Sequence, residues 1–388
     1  MSAWATMDNR QRTFWIVVAT VGVVSIAYAL DIRYLILGQR GVTAVDDIGE
    51  ALAAAIAAAA CAWAATRASG RVRLGWALMG ISTGLWAAGE VVWSIYEVGL
   101  NVQTPYPSLA DVGFLSAVPF AIGGIRAFWS APRGTSSRWR VWFDGVIVAL
   151  ALTSTAWAFG LKSVWLSDSS TRILDLAYPV SDILIGTILI LAIRRADQQQ
   201  AGRMAFLLLG VALYSIADSA FAYLNAQGTF GAVGNVIDTG WFAGFLMIAL
   251  AAVYPAAATK PATQQAPLDL WQLALPWMTL LLAAAGDVYS SLTGHDIDLF
   301  MSSCTAVLAV LLTVNMILER REFLEMLTDI ETARTTLNHE FKTALVGIQK
   351  LSEQVNEADR SYDEGVRVLA ADIHHQAERL DRLVEGML

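Results

Sequence analysis

A chain of 388 residues that is 56% hydrophobic and only 15% charged is too apolar for a soluble domain, in which about 25% of residues carry charge. Its net charge of −8 removes the electrostatic footprint that nucleic-acid binding needs. Mean hydropathy is +0.51, and the excess falls in runs of roughly 20 residues, the length that crosses a bilayer as a helix.

The chain opens with a polar stretch, Met1 to Arg12, that includes Arg10 and Arg12. The apolar run from Phe14 has no small-residue cleavage site after it, so it reads as a retained first span. In order, spans are predicted at about 13–37, 45–66, 74–99, 108–129, 140–166, 173–193, 203–226, 233–255, 269–292 and 297–318. Arginines follow the second span (Arg67, Arg71, Arg73), the fourth (Arg126, Arg133, Arg138, Arg140), the sixth (Arg194, Arg195, Arg203) and the tenth (Arg320, Arg321), with Lys260 after the eighth. The opposite loops hold only Arg33, Arg40, Lys162 and Arg172. By the positive-inside rule both termini are cytoplasmic. Cys61 and Cys304 lie inside apolar runs and are expected to pack as small hydrophobes.

Two stretches resemble each other: LWAAGEVVWSIYEVGLNVQTPYPSLADVGFL from Leu85 and LYSIADSAFAYLNAQGTFGAVGNVIDTGWFAGFL from Leu213. Glu90 matches Asp218, Trp93 matches Phe221, Asp111 matches Asp238 and Phe114 matches Trp241. The offset is four spans, an even number, so the expected repeat is parallel rather than inverted.

Ionisable groups in spans are costly and by default point to function. Asp31, Asp46, Asp47, Asp111, Asp175 and Glu97 fall at span ends, where headgroups and water are the expected surroundings. Glu90, Asp182, Asp218 and Asp287 lie deeper and are expected to face the bundle interior. With Tyr96, Tyr106, Tyr178, Tyr223 and Asp238 they are predicted to line a polar cavity open to the outside, suited to a cation, a proton or an amine-bearing ligand. Tyr106-Pro107 and Tyr178-Pro179 start spans, where proline is tolerated because its missing N–H falls in a first turn. The tryptophans are expected to serve as interfacial belt and packing. No histidine falls within a predicted span, so no membrane haem or zinc site is expected and no metal ligand is assigned.

After Glu319 the composition turns polar. The tenth span continues without Gly or Pro through VNMILERREFLEML, Val314–Leu327. A heptad with Leu327, Arg334, Phe341, Ile348 and Val355 at a, and Ile330, Leu337, Ala344 and Leu351 at d, is apolar except at Arg334. Residues 356–363 are polar and predict a hairpin loop. A second helix has its seam at Val366, Leu369, Ile373, Gln376, Leu380, Leu383 and Met387. Two such helices hold too little core alone, and a homodimer forming a four-helix bundle is expected.

Within the first of these helices stands Asn338-His339-Glu340-Phe341-Lys342-Thr343-Ala344-Leu345. It resembles the phosphoacceptor box of bacterial sensor histidine kinases. The resemblance implies that His339 accepts the γ-phosphoryl group of ATP, Glu340 orients or deprotonates the imidazole, and Thr343 helps to place water for dephosphorylating the partner. The predicted heptad puts His339 at f, opposite the seam. Ala344 departs from the family, which usually has a helix-kinking proline there. The membrane part resembles more loosely the multi-span regions that precede GGDEF cyclase or kinase modules in bacteria, through GEVVWSIYEVGLNVQTPYPSLADVGFL. The kinase resemblance covers about 60 residues and includes no Asn box or Gly-rich ATP lid. ATP and Mg2+ are therefore expected on a domain outside this chain, which alone is expected to be inactive.

The expected architecture is all-α. Residues 1–318 form a transmembrane sensor domain, 319–337 a signalling coiled coil, and 338–388 a dimerisation and histidine phosphotransfer hairpin. The expected setting is the bacterial inner membrane, with lipid, a response regulator and a small ligand, cation or proton as partners. Two alternatives remain open at this point. One is a transporter or channel with a C-terminal coiled coil for assembly, and the other is a scaffold phosphorylated by a separate kinase.

Overall fold

A computed structural model describes residues 9–128, 138–167, 170–193, 198–229, 235–255 and 299–357, with isolated positions within 281–292 and 366–377. The described residues are helical and contain no strand. In chain order the helices are α1 (Asn9–Tyr34), α2 (Gly38–Arg67), α3 (Gly70–Ser94), α4 (Leu109–Ala127), α5 (Arg138–Ala156), α6 (Lys162–Leu166), α7 (Arg172–Ile193), α8 (Gln198–Ala226), α9 (Asp238–Val253) and α10 (Leu299–Glu357). Seven of the described helical segments are long and apolar enough to cross a membrane. They are Asn9–Tyr34, Gly38–Arg67, Gly70–Gly99, Leu109–Ala127, Arg172–Ile193, Gly202–Ala226 and the apolar part of Leu299–Leu351. This is a membrane protein by that measure.

Three of the ten predicted spans are not among the seven. The predicted 140–166 span is broken. α5 ends in a π turn, Trp157–Leu161, where Gly160 leaves helical geometry, and its apolar part is only Trp142–Ala156. The predicted 233–255 span is realised as the 16-residue α9, because the chain before Asp238 is spent in a capping turn. The predicted 269–292 span falls almost wholly outside the described residues, as does Asp287.

Contacts divide the chain into Met1–Leu312 and Thr313–Leu388. In the first unit α2 packs on α3, α3 on α4, α4 on α7, α7 on α8, α8 on α9, and α9 back on α2. Six helices thus close a ring. α1 lies against α2 and α9, and α5 against α7, outside it. Ile147 and Ala151 of α5 form a small separate cluster with Leu308 and Leu312.

The two stretches that resemble each other occupy opposite arcs of the ring, α3–α4 and α8–α9, and carry the same local devices. The carboxylate of Asp111 accepts from the backbone N–H of Ser108 at 2.6 Å, and that of Asp238 accepts from the backbone N–H of Asn235. Ser108 Oγ in turn accepts from Ala110 N at 3.1 Å, and Asn235 Oδ1 from Ile237 N at 3.3 Å. At α4 this is a capping box, and before α9 the same pairing of Asn235 with Asp238 closes the turn that leads into the helix, which satisfies otherwise unpaired N–H groups. Close approach is matched as well. A Cβ on Gly113 would sit 2.8 Å from Leu85 O, and one on Gly240 would sit 2.7 Å from Leu213 O. Small residues let helix backbones approach where lipid supplies no hydrophobic drive between helices.

In the second unit α10 continues through His339 and Ala344 without a break to Glu357, two residues into the segment predicted as a loop. Leu327, Ile330, Leu337, Phe341, Ile348 and Leu351 of the predicted seam are all exposed in the single chain. Leu345, outside that seam, is buried instead, as is Ala377 of the second helix. Among the described residues, these six apolar seam side chains stay open on the surface of the single chain.

Candidate functional site

The ring encloses a chamber at the end where α2, α4, α7 and α9 begin. Its wall is built helix by helix: Glu50 from α2, and Trp86, Glu90 and Trp93 from α3, with Glu97 on the π turn that follows. Tyr106 comes from the loop before α4, Asp111 and Phe114 from α4, and Tyr178 from α7. α8 contributes Asp218 and Phe221, and α9 contributes Asp238 and Trp241. Six of these residues are carboxylic acids and seven are aromatic, and they make up the whole lining among the described residues. Its volume is about 60 Å³, room for a few water-sized groups.

Helical spacing explains the convergence. Trp86, Glu90, Trp93 and Glu97 are separated by four, three and four residues, one face of a helix. The pattern acid-x-x-aromatic recurs as Glu90–Trp93, Asp111–Phe114, Asp175–Tyr178, Asp218–Phe221 and Asp238–Trp241. Each copy puts a carboxyl and a ring on the same side, one turn apart.

Most of the acids accept from a donor on their own helix, a neighbouring loop or a neighbouring helix. Trp86 Nε1 donates to Glu90 Oε1 at 3.0 Å, and Trp241 Nε1 donates to Asp218 Oδ1 at 2.6 Å. The Tyr178 hydroxyl donates to Asp111, and the Tyr28 hydroxyl donates to Asp46. Thr104 N donates to Glu97 Oε1 at 3.3 Å. Asp175, fully buried, accepts from Asn225 Nδ2 at 2.9 Å and from Thr171 Oγ1 at 3.0 Å. Burial, with Asp175 and Asp111 nearby, holds the Tyr106 phenol far above the usual tyrosine range, so it remains a neutral hydroxyl.

Two carboxyl pairs also face each other, Asp46 with Asp238 and Asp182 with Asp218. Like charges side by side in a low-dielectric interior need a shared proton or a cation between them. Two oxygens on the chamber wall have no hydrogen-bond donor: Glu50 Oε1 and Asp238 Oδ1. Among the described residues no three Asp, Glu, His or Cys side chains are arranged to hold a metal ion.

Measured against the sequence, Glu90, Asp218 and Asp238 are buried and line the chamber, and Tyr106 joins them. Asp182 is buried in an adjoining cavity of about 30 Å³ that shares Trp86, Phe114, Tyr178 and Asp218 with the chamber. Tyr96 and Tyr223 do not line it. Tyr223, 37% exposed, packs by Gly160, because five residues from Asp218 is about 140° around a helix. Asp31, Asp46, Asp47, Asp111 and Asp175, expected to meet water and headgroups, are all buried. Their carboxylates cap turns and helix starts or face other helices; Asp31, for instance, accepts from Leu37 N at 3.1 Å in the turn between α1 and α2. Reasoning from the sequence missed Glu50 and the rings of Trp86, Trp93, Phe221 and Trp241 as wall residues. The acid-x-x-aromatic recurrence was the signal available.

His339 is exposed on α10, and Glu340 and Thr343 are exposed beside it. The Thr343 hydroxyl donates to the His339 carbonyl oxygen at 2.8 Å, one turn back. His339 and Thr343 therefore share a face, while Glu340 stands about 100° around the helix.

Compared with known protein families, curated proteins and solved structures, the chain matches none.

Proposed function

We propose that the protein is the sensor and phosphoacceptor portion of a histidine kinase, embedded in a bacterial inner membrane with both termini cytoplasmic. The observation that supports this reading best is the exposed His339 in its Asn-His-Glu-Phe-Lys-Thr-Ala-Leu setting, on a helix that runs unbroken from an apolar segment at Leu299 to Glu357. An unbroken helix transmits a shift or rotation along its axis. The imidazole attacks the γ-phosphorus of ATP, the bond to the ADP oxygen breaks, and the ring proton leaves to a base, a role for Glu340. The phosphoryl group then passes to an aspartate of a response regulator. The kinase resemblance puts ATP and Mg2+ on a separate module, and no residue of this chain is assigned to them.

In this reading the acidic, aromatic chamber receives the stimulus, and the exposed seam of Leu327, Ile330, Leu337 and Phe341 joins two copies. The test is phosphorylation by labelled ATP in membrane vesicles that hold the protein with its ATP-binding module. Acid-labile, base-stable label that is lost in His339→Gln supports the reading. Absence of label, while a known kinase labels well, removes it.

A transporter is the second reading, favoured by the chamber and its adjoining cavity, which together reach from Glu97 to Ile185 and Ile248. Saturable uptake of an organic cation into vesicles, unchanged in His339→Gln, would favour it.

A further inference from the structure

We infer that the chamber binds a compact organic ammonium ion, a protonated amine of a few heavy atoms. The inference deepens the sensor reading by naming the class of ligand. Binding is measured on the bundle, so it stands or falls separately from phosphate transfer at His339.

The wall chemistry selects the class. Among the described residues, all the polar side chains that line the chamber are acids or tyrosine and tryptophan, with no Lys, Arg or His. Buried carboxylates without a basic partner are costly, and the cost is relieved by a cation. Glu50 is 7% exposed and Asp238 is 3% exposed, yet Glu50 Oε1 and Asp238 Oδ1 have no donor. Glu50 Oε1 is open to the N–H groups of an ammonium ion, and Asp238, which faces Asp46, is a carboxyl that a cation between the two would relieve.

The aromatic half of the wall decides between kinds of cation. A hard metal ion such as Ca2+ takes 6–8 oxygen ligands, and among the described residues no three acids are arranged to supply a metal site. Rings contribute little to such an ion. Ammonium and alkylammonium ions, by contrast, are attracted to the faces of Trp, Tyr and Phe. Phe221 sits centrally among the rings, 6.4 Å from Trp93, 5.8 Å from Tyr106 and 5.9 Å from Trp241, centroid to centroid. All three contacts are edge-on, so the rings form a corner rather than a stack. Carboxylates that take the N–H groups and rings that take the alkyl groups are the two halves of an amine site. A volume of about 60 Å³ has room for methylammonium or an ion a little larger.

The full chain in lipid nanodiscs is titrated with methylammonium, and separately with K+ and with Ca2+ at matched ionic strength, while thermal unfolding and heat of binding are recorded. Methylammonium is expected to raise the melting temperature saturably, with K+ and Ca2+ without saturable effect. Glu50→Gln and Trp93→Leu, which remove one acceptor and one ring, are each expected to weaken binding at least tenfold. Asp31→Asn, an acid away from the chamber, is expected to leave binding unchanged. Each variant's own cooperative melt shows that it is folded. Stabilisation by K+ or Ca2+ equal to that by methylammonium overturns the inference, as does a methylammonium response that survives in both chamber variants. No saturable response to any of the three cations overturns it too.

Discussion

The indole N–H of Trp241 donates to Asp218 Oδ1 at 2.6 Å, tying α9 to α8 at the wall between the chamber and its adjoining cavity. The bond gives one buried carboxyl a donor and fixes the ring that faces Phe221. Trp241→Phe keeps the ring face and removes the donor. Leaving a buried acceptor unpaired costs about 1–3 kcal/mol. Unfolding in detergent is expected to shift by that amount, and Asp218→Asn made on top of Trp241→Phe is expected to recover part of it. Additive losses in the double variant would show that the two side chains are not coupled.

Helix approach offers a second test, independent of any ligand. A methyl on Gly113 or Gly240 would press on a backbone carbonyl at under 3 Å, whereas a Cβ on Gly22 of α1 meets nothing within 4 Å. Overpacking typically costs about 1–3 kcal/mol. Gly113→Ala and Gly240→Ala are expected to lower the melting temperature, each by a similar amount, and Gly22→Ala to leave it level or raise it. A neutral Gly113→Ala would mean that α3 and α4 are less closely apposed.

Glu50 offers a trade between stability and binding. Its neighbours are Glu90, Asp46, Asp238 and Asp47, all acids. An amide at this position presents an N–H to a carboxylate that otherwise meets another carboxylate. Glu50→Gln is expected to stabilise the ligand-free protein by about 1 kcal/mol, the usual gain when a functional strain is released, while it loses the ammonium response. Chemical unfolding without added cation measures it, and a destabilised variant would show that Glu50 already has a compensating partner.

The seam on α10 can be read by crosslinking. Both native cysteines, Cys61 and Cys304, are buried, so an introduced thiol reports alone. Leu327→Cys, Ile330→Cys and Leu337→Cys are expected to form disulfide-linked dimers rapidly in oxidised membrane vesicles, and Thr335→Cys, on another face, slowly. Equal rates at all four positions would argue against a heptad interface between copies.

The membrane character was legible from the sequence because transfer of a helix into lipid depends on the composition of that one segment. So were the buried positions of Glu90 and Asp218, which lie deep in apolar runs. The kinked 140–166 segment was not, since a run of apolar residues does not reveal that Gly160 will break the helix. Asp46, Asp111 and Asp175 were misjudged for a related reason. Closeness to a span end says nothing about whether another helix covers that end, and α7, α8 and α9 do so through Tyr178, Asn225 and Asp238.

By itself the sequence determined the apolar helices, the spacing of acids and aromatics in the two matching stretches and the exposed box around His339, because each depends on neighbours within a few turns of one helix. Only the tertiary structure decided that six acids and seven rings share one chamber, that Glu50 belongs to it, and that Tyr96 and Tyr223 do not. Those outcomes depend on how far each helix is rotated about its axis when the ring closes. That rotation is set by contacts between residues far apart in the chain, such as Gly113 against Leu85 and Tyr178 against Asp111.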